Sequence, residues 1–387
     1  MFGLFVVKQS NKQSKMWIKI ACVPIIYILL THMAHVLYFA GTHCKSKASL
    51  VGKTVIVTGA NSGIGRTTAL DLARRGARVI VACRSEKRAA PVVNEIIAET
   101  GNKEVIFMEL DLSSFRKVNQ FTEEFLAKET RLDVLVNNAG MIVSGFDLKK
   151  NENGIEMTLM VNHLGPFLLT QNLLGILKKS GPGSRVVTVS SLAVDWANIN
   201  AFKNLDDLKV DGVADFEAPA RPHLLPRPSD ILWGLFSIDS LPNFKRYSNS
   251  KLANVLFTIE LAKRLKGSGV TTYSLHPGAI LTDIGIDRDT GKDMFGRIQQ
   301  RTSKFISDLP SFIQPLSFPL KTFEEGAQTT VCCAVDEDLA NESGLYYVDG
   351  VPEKIDRSEV NEVLALKFFD WTEKLVQKTL EEMSLQS

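Results

Sequence analysis

The sequence predicts an α/β domain built on a doubly wound parallel sheet, with a transmembrane helix in front of it. Three observations carry this. Short β-branched runs alternate with stretches of helical period, the first run opens into a glycine-rich turn, and the N-terminal region holds an apolar segment of membrane-spanning length. We divide the chain into a tail (1–16), an anchor (17–40), a linker (41–50), the α/β domain (51–350) with an insert near 198–245, and a helical C-terminal extension (351–387).

Within Trp17 to Ala40 the only charged residue is Lys19. At 1.5 Å per residue, Ile20 to Ala40 spans a hydrocarbon core of about 30 Å. Trp17 and Tyr38 stand at its ends, where amphipathic rings favour the interface. A cleaved signal peptide is the competing reading, but its apolar core is normally shorter, about 7–15 residues. Lysines flank both sides (Lys8, Lys12 and Lys15 before, Lys45, Lys47 and Lys53 after), so charge barely orients the segment.

Thr54 to Thr58 has the composition of a buried parallel strand and runs into Gly59-Ala60-Asn61-Ser62-Gly63-Ile64-Gly65. Arg66 to Arg75 then reads as a helix closed by Gly76. Strand, glycine turn and helix together form a phosphate cradle, because backbone can approach an anion at the helix N-terminus. The next strand, Arg78 to Cys83, ends at Arg84. A free ribose 2′-hydroxyl usually meets an acidic residue about 20 residues beyond the glycines. This chain instead offers Arg84, with Arg66 just after the last glycine. Two cations suit a 2′-phosphate, so NADP(H) is expected over NAD(H).

Glu104 to Leu110 is a third strand, and Asp111-Leu112 at its end can reach an adenine. Phe115 to Ala127 is helical, and Asp133 to Val136 is a fourth strand running into Asn137-Asn138-Ala139-Gly140. Further along, Leu252, Val255, Leu256, Ile259 and Leu261 recur at helical spacing within Phe244 to Lys266. On that helix Tyr247 and Lys251 share a face. A phenol has an ordinary pKa of about 10, and a fixed cation beside it is expected to lower that value. That makes Tyr247 a candidate acid/base.

Composition narrows the rest. Of 387 residues, 45% are hydrophobic and 23% charged, enough for a globular core. With 45 basic against 43 acidic residues the net charge is +2, and no basic block suggests nucleic acid. Cys22, Cys44, Cys83, Cys332 and Cys333 form no C-x-x-C pair and no Cys/His metal pattern, so no metal is expected. Their scatter suits a reducing compartment.

TGANSGIG and NNAG at this separation resemble the short-chain dehydrogenase/reductase superfamily, and the likeness extends over roughly residues 51–350. Val161-Asn162-His163-Leu164-Gly165, in a helix from Gly154 to Lys178, is similar to that superfamily's Asn-bearing helix. Arg185 to Ser191 (RVVTVSS) is similar to its strand ending in a catalytic Ser, with Ser191 preferred over Ser190. Tyr247 and Lys251 fit Y-x-x-x-K, and His276-Pro277-Gly278 followed by Thr282 resembles the segment that holds the nicotinamide.

The wording TGANSGIGR, VACRS, VNHLGPFLLT, YSNSKLANVLFT and EEGAQTTVCCA resembles the retinol dehydrogenase group, which contains membrane-anchored, NADP-preferring enzymes. The resemblance implies a Rossmann fold and a membrane-anchored NADP(H)-dependent oxidoreductase. Its substrate would be retinol and retinal or a similar apolar alcohol or carbonyl. A steroid or lipid-aldehyde reductase, and a non-catalytic scaffold, are the alternatives.

The same resemblance implies the residue roles. Asn162, Ser191, Tyr247 and Lys251 are catalytic. Ser191 and Tyr247 bind the substrate oxygen, and Asn162 holds a water linking Lys251 to solvent. Gly59, Ser62, Gly63, Ile64, Gly65, Arg66, Arg84, Asp111, Leu112, Asn138, Ala139, Gly140, Tyr247, Lys251, Pro277, Gly278 and Thr282 contact the cofactor. The helices bearing Asn162 and Tyr247 would form a homodimer interface, and the chain would reside in the endoplasmic reticulum membrane with its catalytic domain in the cytosol.

The chain departs from the group's pattern between Ser191 and Tyr247, where Asn198 to Lys245 is far longer than usual. Five prolines (Pro219, Pro222, Pro226, Pro228, Pro242) and the apolar run Ile231 to Phe236 lie there. That run forms a lid or dips into the bilayer, or else the insert is an idle surface feature. Asp283 to Leu320, rich in Phe and Ile, suits a lipid-like ligand, core packing or membrane attachment equally. Lys321 to Ala334 reads as a helix, Gly344 to Val348 as a last strand, and Val360 to Glu382 as a packed terminal helix.

Overall fold

The computed structural model describes residues 41–143, 148–203, 205, 242–280 and 321–386. The anchor at 17–40, Thr282, the run Ile231 to Phe236 and the stretch 283–320 lie outside the described residues. Among the described residues, no helix is long and apolar enough to cross a membrane.

The first half alternates strictly: β1 (Thr54–Thr58), α1 (Gly63–Arg74), β2 (Arg78–Cys83), α2 (Glu86–Thr100), β3 (Val105–Glu109), α3 (Phe115–Lys128) and β4 (Val134–Asn137). Helix α4 then runs as Met157–Leu159, a π-helical turn Met160–Leu164, and Gly165–Ser180. β5 (Ser184–Val189), a 3-10 turn (Leu192–Trp196), α5 (Ile199–Lys203), α6 (Pro242–Arg264) and β6 (Val270–His276) follow. The chain closes with α7 (Phe323–Val335), β7 (Leu345–Val348), β8 (Val351–Pro352) and α8 (Glu362–Gln386).

The strands form one sheet in the order β3-β2-β1-β4-β5-β6-β7-β8, parallel except for the final pair. The order reverses between β1 and β4, and crevices at such switch points, beyond the strand C-termini, are where ligands bind in open α/β sheets. Strands β1 and β5 are buried along their whole length, as strands covered on both faces must be. On one face α1, α2 and α7 bury Leu72, Ile96 and Val331 against Val57 and Val81. On the other, α3, α4 and α6 bury Phe121, Leu169 and Phe257 against Ile56 and Leu135.

Helix α7 begins with a capping box in which Glu325 N donates to Thr322 Oγ1 at 3.2 Å and Thr322 N to Glu325 Oε2 at 2.8 Å. The terminal helix α8 lies across α4 and α6. Phe369 packs edge-on to Phe167 and stacked on Phe257, and Arg264 sits 3.9 Å above its ring. The surface expected to form a dimer is therefore partly covered by the chain's own C-terminus.

Candidate active site

At the C-terminal edge of the sheet a cavity of about 630 Å³ opens between the glycine turn and helix α6. Its floor depends on residues whose size is dictated by neighbouring backbone. Gly59 has φ +67, and a Cβ there would lie 2.9 Å from the Ala139 Cα. A Cβ on Gly65 would lie 2.6 Å from the Gly59 oxygen. Any side chain at these two positions would force the β1 turn away from the loop after β4. Thr58 ties the same two segments together: its Oγ1 accepts from Asn138 N at 3.0 Å and Ala139 N at 2.9 Å, while Asn138 Nδ2 donates to Thr58 O at 2.8 Å.

Gly59, Ser62, Gly63, Ile64 and Gly65 all line the cavity, as do Asn138, Ala139 and Gly140. Ser62 caps α1 without a side-chain hydrogen bond. The first-turn N–H groups of a helix have no intrahelical partner and favour an anion. Asp111 and Leu112 stand on the wall, and Gly165 of α4 approaches so closely that a Cβ would sit 2.5 Å from the Leu112 oxygen. Pro277 and Gly278 close the far side, with Gly278 N donating to His276 Nδ1 at 3.0 Å. A nucleotide cofactor fits this cradle of small residues, uncapped helix and flanking cations.

The arginines divide differently from expectation. Arg84 lines the cavity, whereas Arg66 turns away and pairs through its guanidinium with Glu95 on α2, its Nε at 3.0 Å from Oε2. Arg88, in the first turn of α2, lines the cavity as well. The expectation for Arg66 rested on its closeness in sequence to the last glycine. Helix geometry instead directs that position toward the neighbouring helix.

Tyr247, Lys251 and Ser191 meet on the opposite wall. The Ser191 side chain lies near the Tyr247 hydroxyl and accepts from Ala193 N at 3.1 Å. Ser190 is instead committed to structure, donating to the Lys251 carbonyl at 2.7 Å. Lys251 Nζ lies 5.5 Å from the centroid of the Tyr247 ring and donates to Val189 O at 3.0 Å. The phenol is not lowered in this arrangement, contrary to expectation. Burial pushes Tyr247 up to about 12, opposed only by the nearby Ser191 hydroxyl, and burial pushes Lys251 down to about 8. The cation that was to activate the phenol is itself desolvated, being 2% exposed.

Asn162 is buried behind the wall in the π turn. It accepts from Met141 N at 2.8 Å and donates to Met141 O at 2.9 Å and Ser250 Oγ at 3.0 Å. Both amide hydrogens are therefore used, and the carbonyl oxygen keeps spare acceptor capacity. Sequence reading missed the apolar lining next to Tyr247: Ile142, Leu192, Trp196 and Phe244, with Trp196 and Phe244 rings 6.1 Å apart. Phe244 stands three residues before Tyr247, a helical neighbour that the periodicity already contained. Ile142 and Trp196 lie in segments without regular period and gave no such signal.

The short chain dehydrogenase family profile matches residues 53–201. Retinol dehydrogenase 11 from Mus musculus is 38% identical over 348 residues, covering 90% of this chain and 93% of that protein. Among solved structures, an uncharacterized protein from Mycobacterium paratuberculosis superposes with a TM-score of 0.59 at 27% identity, covering 87% of this chain and 98% of its own. A structure from Beutenbergia cavernae with NADP bound at low occupancy reaches 0.52 at 25% identity, covering 78% and 96%.

Proposed function

This chain belongs to the short-chain dehydrogenase family, in the retinol dehydrogenase-like group, and from that premise we propose that it interconverts retinol and retinal, or a similarly apolar alcohol and carbonyl, with NADP(H). The family makes it an NAD(P)-dependent oxidoreductase. One observation carries the finer reading. The Ser191–Tyr247 hydroxyl pair faces the cavity beside an apolar wall of Ile142, Leu192, Trp196 and Phe244. Such a wall favours a hydrocarbon-rich ligand with one polar end.

When bound, the nicotinamide cofactor supplies or takes up hydride. The chain's own residues handle the oxygen and its proton. Ser191 and Tyr247 hydrogen-bond the substrate oxygen, and Tyr247 transfers a proton at its phenolic oxygen. A phenol pushed up to about 12 is protonated at neutral pH, the form that donates to a carbonyl during reduction. Lys251 remains largely cationic below its value of about 8 and stabilises negative charge forming on Tyr247. Asn162 holds the Met141 backbone and helix α6 in register, and its spare carbonyl lone pair can retain a water leading to Lys251. Arg84 and Arg88 on the wall support a 2′-phosphate, hence NADP(H). We read residues 17–40 as an anchor in the endoplasmic reticulum membrane with the catalytic domain in the cytosol.

A panel assay tests the reading: purified protein with NADPH or NADH against retinal, steroid ketones and long-chain aldehydes. The expected result is fastest turnover of retinal with NADPH. A steroid or aldehyde preference would transfer the assignment to the second reading, which the same apolar wall accommodates. Oxidation of cofactor by none of the substrates would favour a non-catalytic scaffold.

A further inference from the structure

Residues 41–50 form a strap bound along α7 and the end of α1. Cys44 N donates to Gln328 Oε1 at 3.0 Å, Arg75 Nη1 donates to Ser46 O at 2.8 Å, and Leu50 is buried in the core. This brings Cys44 against Cys332 and Asp336, which lie four residues apart on one face at the end of α7. The two sulfurs and a carboxylate oxygen of Asp336 all lie within 4.8 Å of one another.

We propose that Cys44, Cys332 and Asp336 form a binding site for a thiophilic divalent cation, zinc being the one to test, that fastens the strap to α7. At zinc distances of about 2.3 Å to sulfur and 2.1 Å to oxygen, tetrahedral ligands stand roughly 3.5–3.8 Å apart, so only a small contraction is needed. Two thiolates and a carboxylate match the preference of zinc over magnesium or calcium, and the fourth position is open to water. The thiol protons pass to solvent as the cation binds.

The surroundings suit an anionic ligand set. Asp338 N donates to Asp336 Oδ1 at 3.2 Å, orienting the carboxylate. Arg75 holds the strap two residues from Cys44 through Ser46 O, and Arg185 donates to Asp336 O at 2.7 Å and Cys333 O at 3.0 Å. Their charges offset the negative balance that three anionic ligands leave on a divalent cation. Cys44 and Asp336 are half-buried, so a cation can enter from solvent. No local motif announced the cluster, because one ligand sits in the strap and two sit at the end of the last sheet-covering helix.

The full-length protein, purified reduced in detergent, is titrated with cobalt and then zinc. The expected outcome is a sulfur-to-cobalt charge-transfer band at one cobalt per chain, abolished by zinc. Cys44→Ser and Cys332→Ser each lose the band, Asp336→Asn weakens binding by about tenfold or more, and Cys22→Ser and Cys83→Ser retain it. As a readout independent of variant folding, zinc slows alkylation of Cys44 in the unmodified protein by about tenfold or more when followed by mass spectrometry. Three results would overturn the proposal: no band and no protection, a band that survives Cys44→Ser, or a Cys44–Cys332 disulfide in protein isolated under thiol-blocking conditions.

Discussion

At Tyr247 the energetic question is which of three effects governs the phenol, and burial wins. With the residue 8% exposed and burial outweighing the nearby Ser191 hydroxyl, the protonated form dominates across the physiological range. Tyr247→Phe keeps the ring packed against Phe244 while deleting the proton donor. Turnover is expected to fall by about 10²- to 10⁴-fold with cofactor affinity nearly unchanged, as read by steady-state kinetics and cofactor titration. Normal turnover in that variant would remove Tyr247 from the chemistry. For Arg84 and Arg88, replacing both by Ala is expected to raise the KM for NADPH roughly ten- to hundredfold and leave that for NADH almost unaltered. Equal losses for the two cofactors would mean the arginines hold something other than the 2′-phosphate.

Between residue and fold stands the π turn in α4, where consecutive side chains serve two different purposes. Asn162 faces the loop after β4, while His163 faces the helices behind it. Its Nδ1 lies 3.3 Å from Asn254 Oδ1 on α6 and its Nε2 3.2 Å from Thr372 Oγ1 on α8. Phe167, Phe257 and Phe368 surround the ring, with no ionisable partner among the described residues. Burial therefore pushes the imidazole down to about 4.

The sign follows from proton binding. Between the ordinary 6.5 and the folded value of about 4, the unfolded chain takes up a proton that the folded chain refuses, so stability falls as pH drops through that window. Comparing unfolding free energies at neutral pH and at about pH 4.5, His163→Gln is expected to lose less than the unmodified protein, by on the order of 2 kcal/mol. An identical acid loss in both would show that His163 does not titrate in this way. Helix α8 is fastened by the same contacts, so three helices that lie far apart in the chain share one buried imidazole.

For the molecule as a whole, the strap at 41–50 and helix α8 pack on opposite faces of the sheet domain. The strap leads back to the apolar segment at 17–40, and α8 covers α4 and α6 where a partner chain was expected. Removing residues 1–40 leaves every described contact of the sheet and cavity in place. The truncated protein is expected to move from the membrane to the soluble fraction with its circular dichroism otherwise like that of the full chain. Retention on membranes would point to a second attachment, with 283–320 the first place to look.

Local chemistry was enough to read the alternating strands and the glycine turn between the first strand and helix. Each depends on residues within a turn or two of one another, and chain periodicity records such neighbours directly. The three-dimensional packing alone decided that Arg88 and not Arg66 joins Arg84, that Asn162 spends both its amide hydrogens on its neighbours, and that Cys44 meets Cys332 and Asp336. It also set the protonation of Tyr247 and Lys251, because desolvation is a property of everything that surrounds a group, and no short stretch of sequence specifies that.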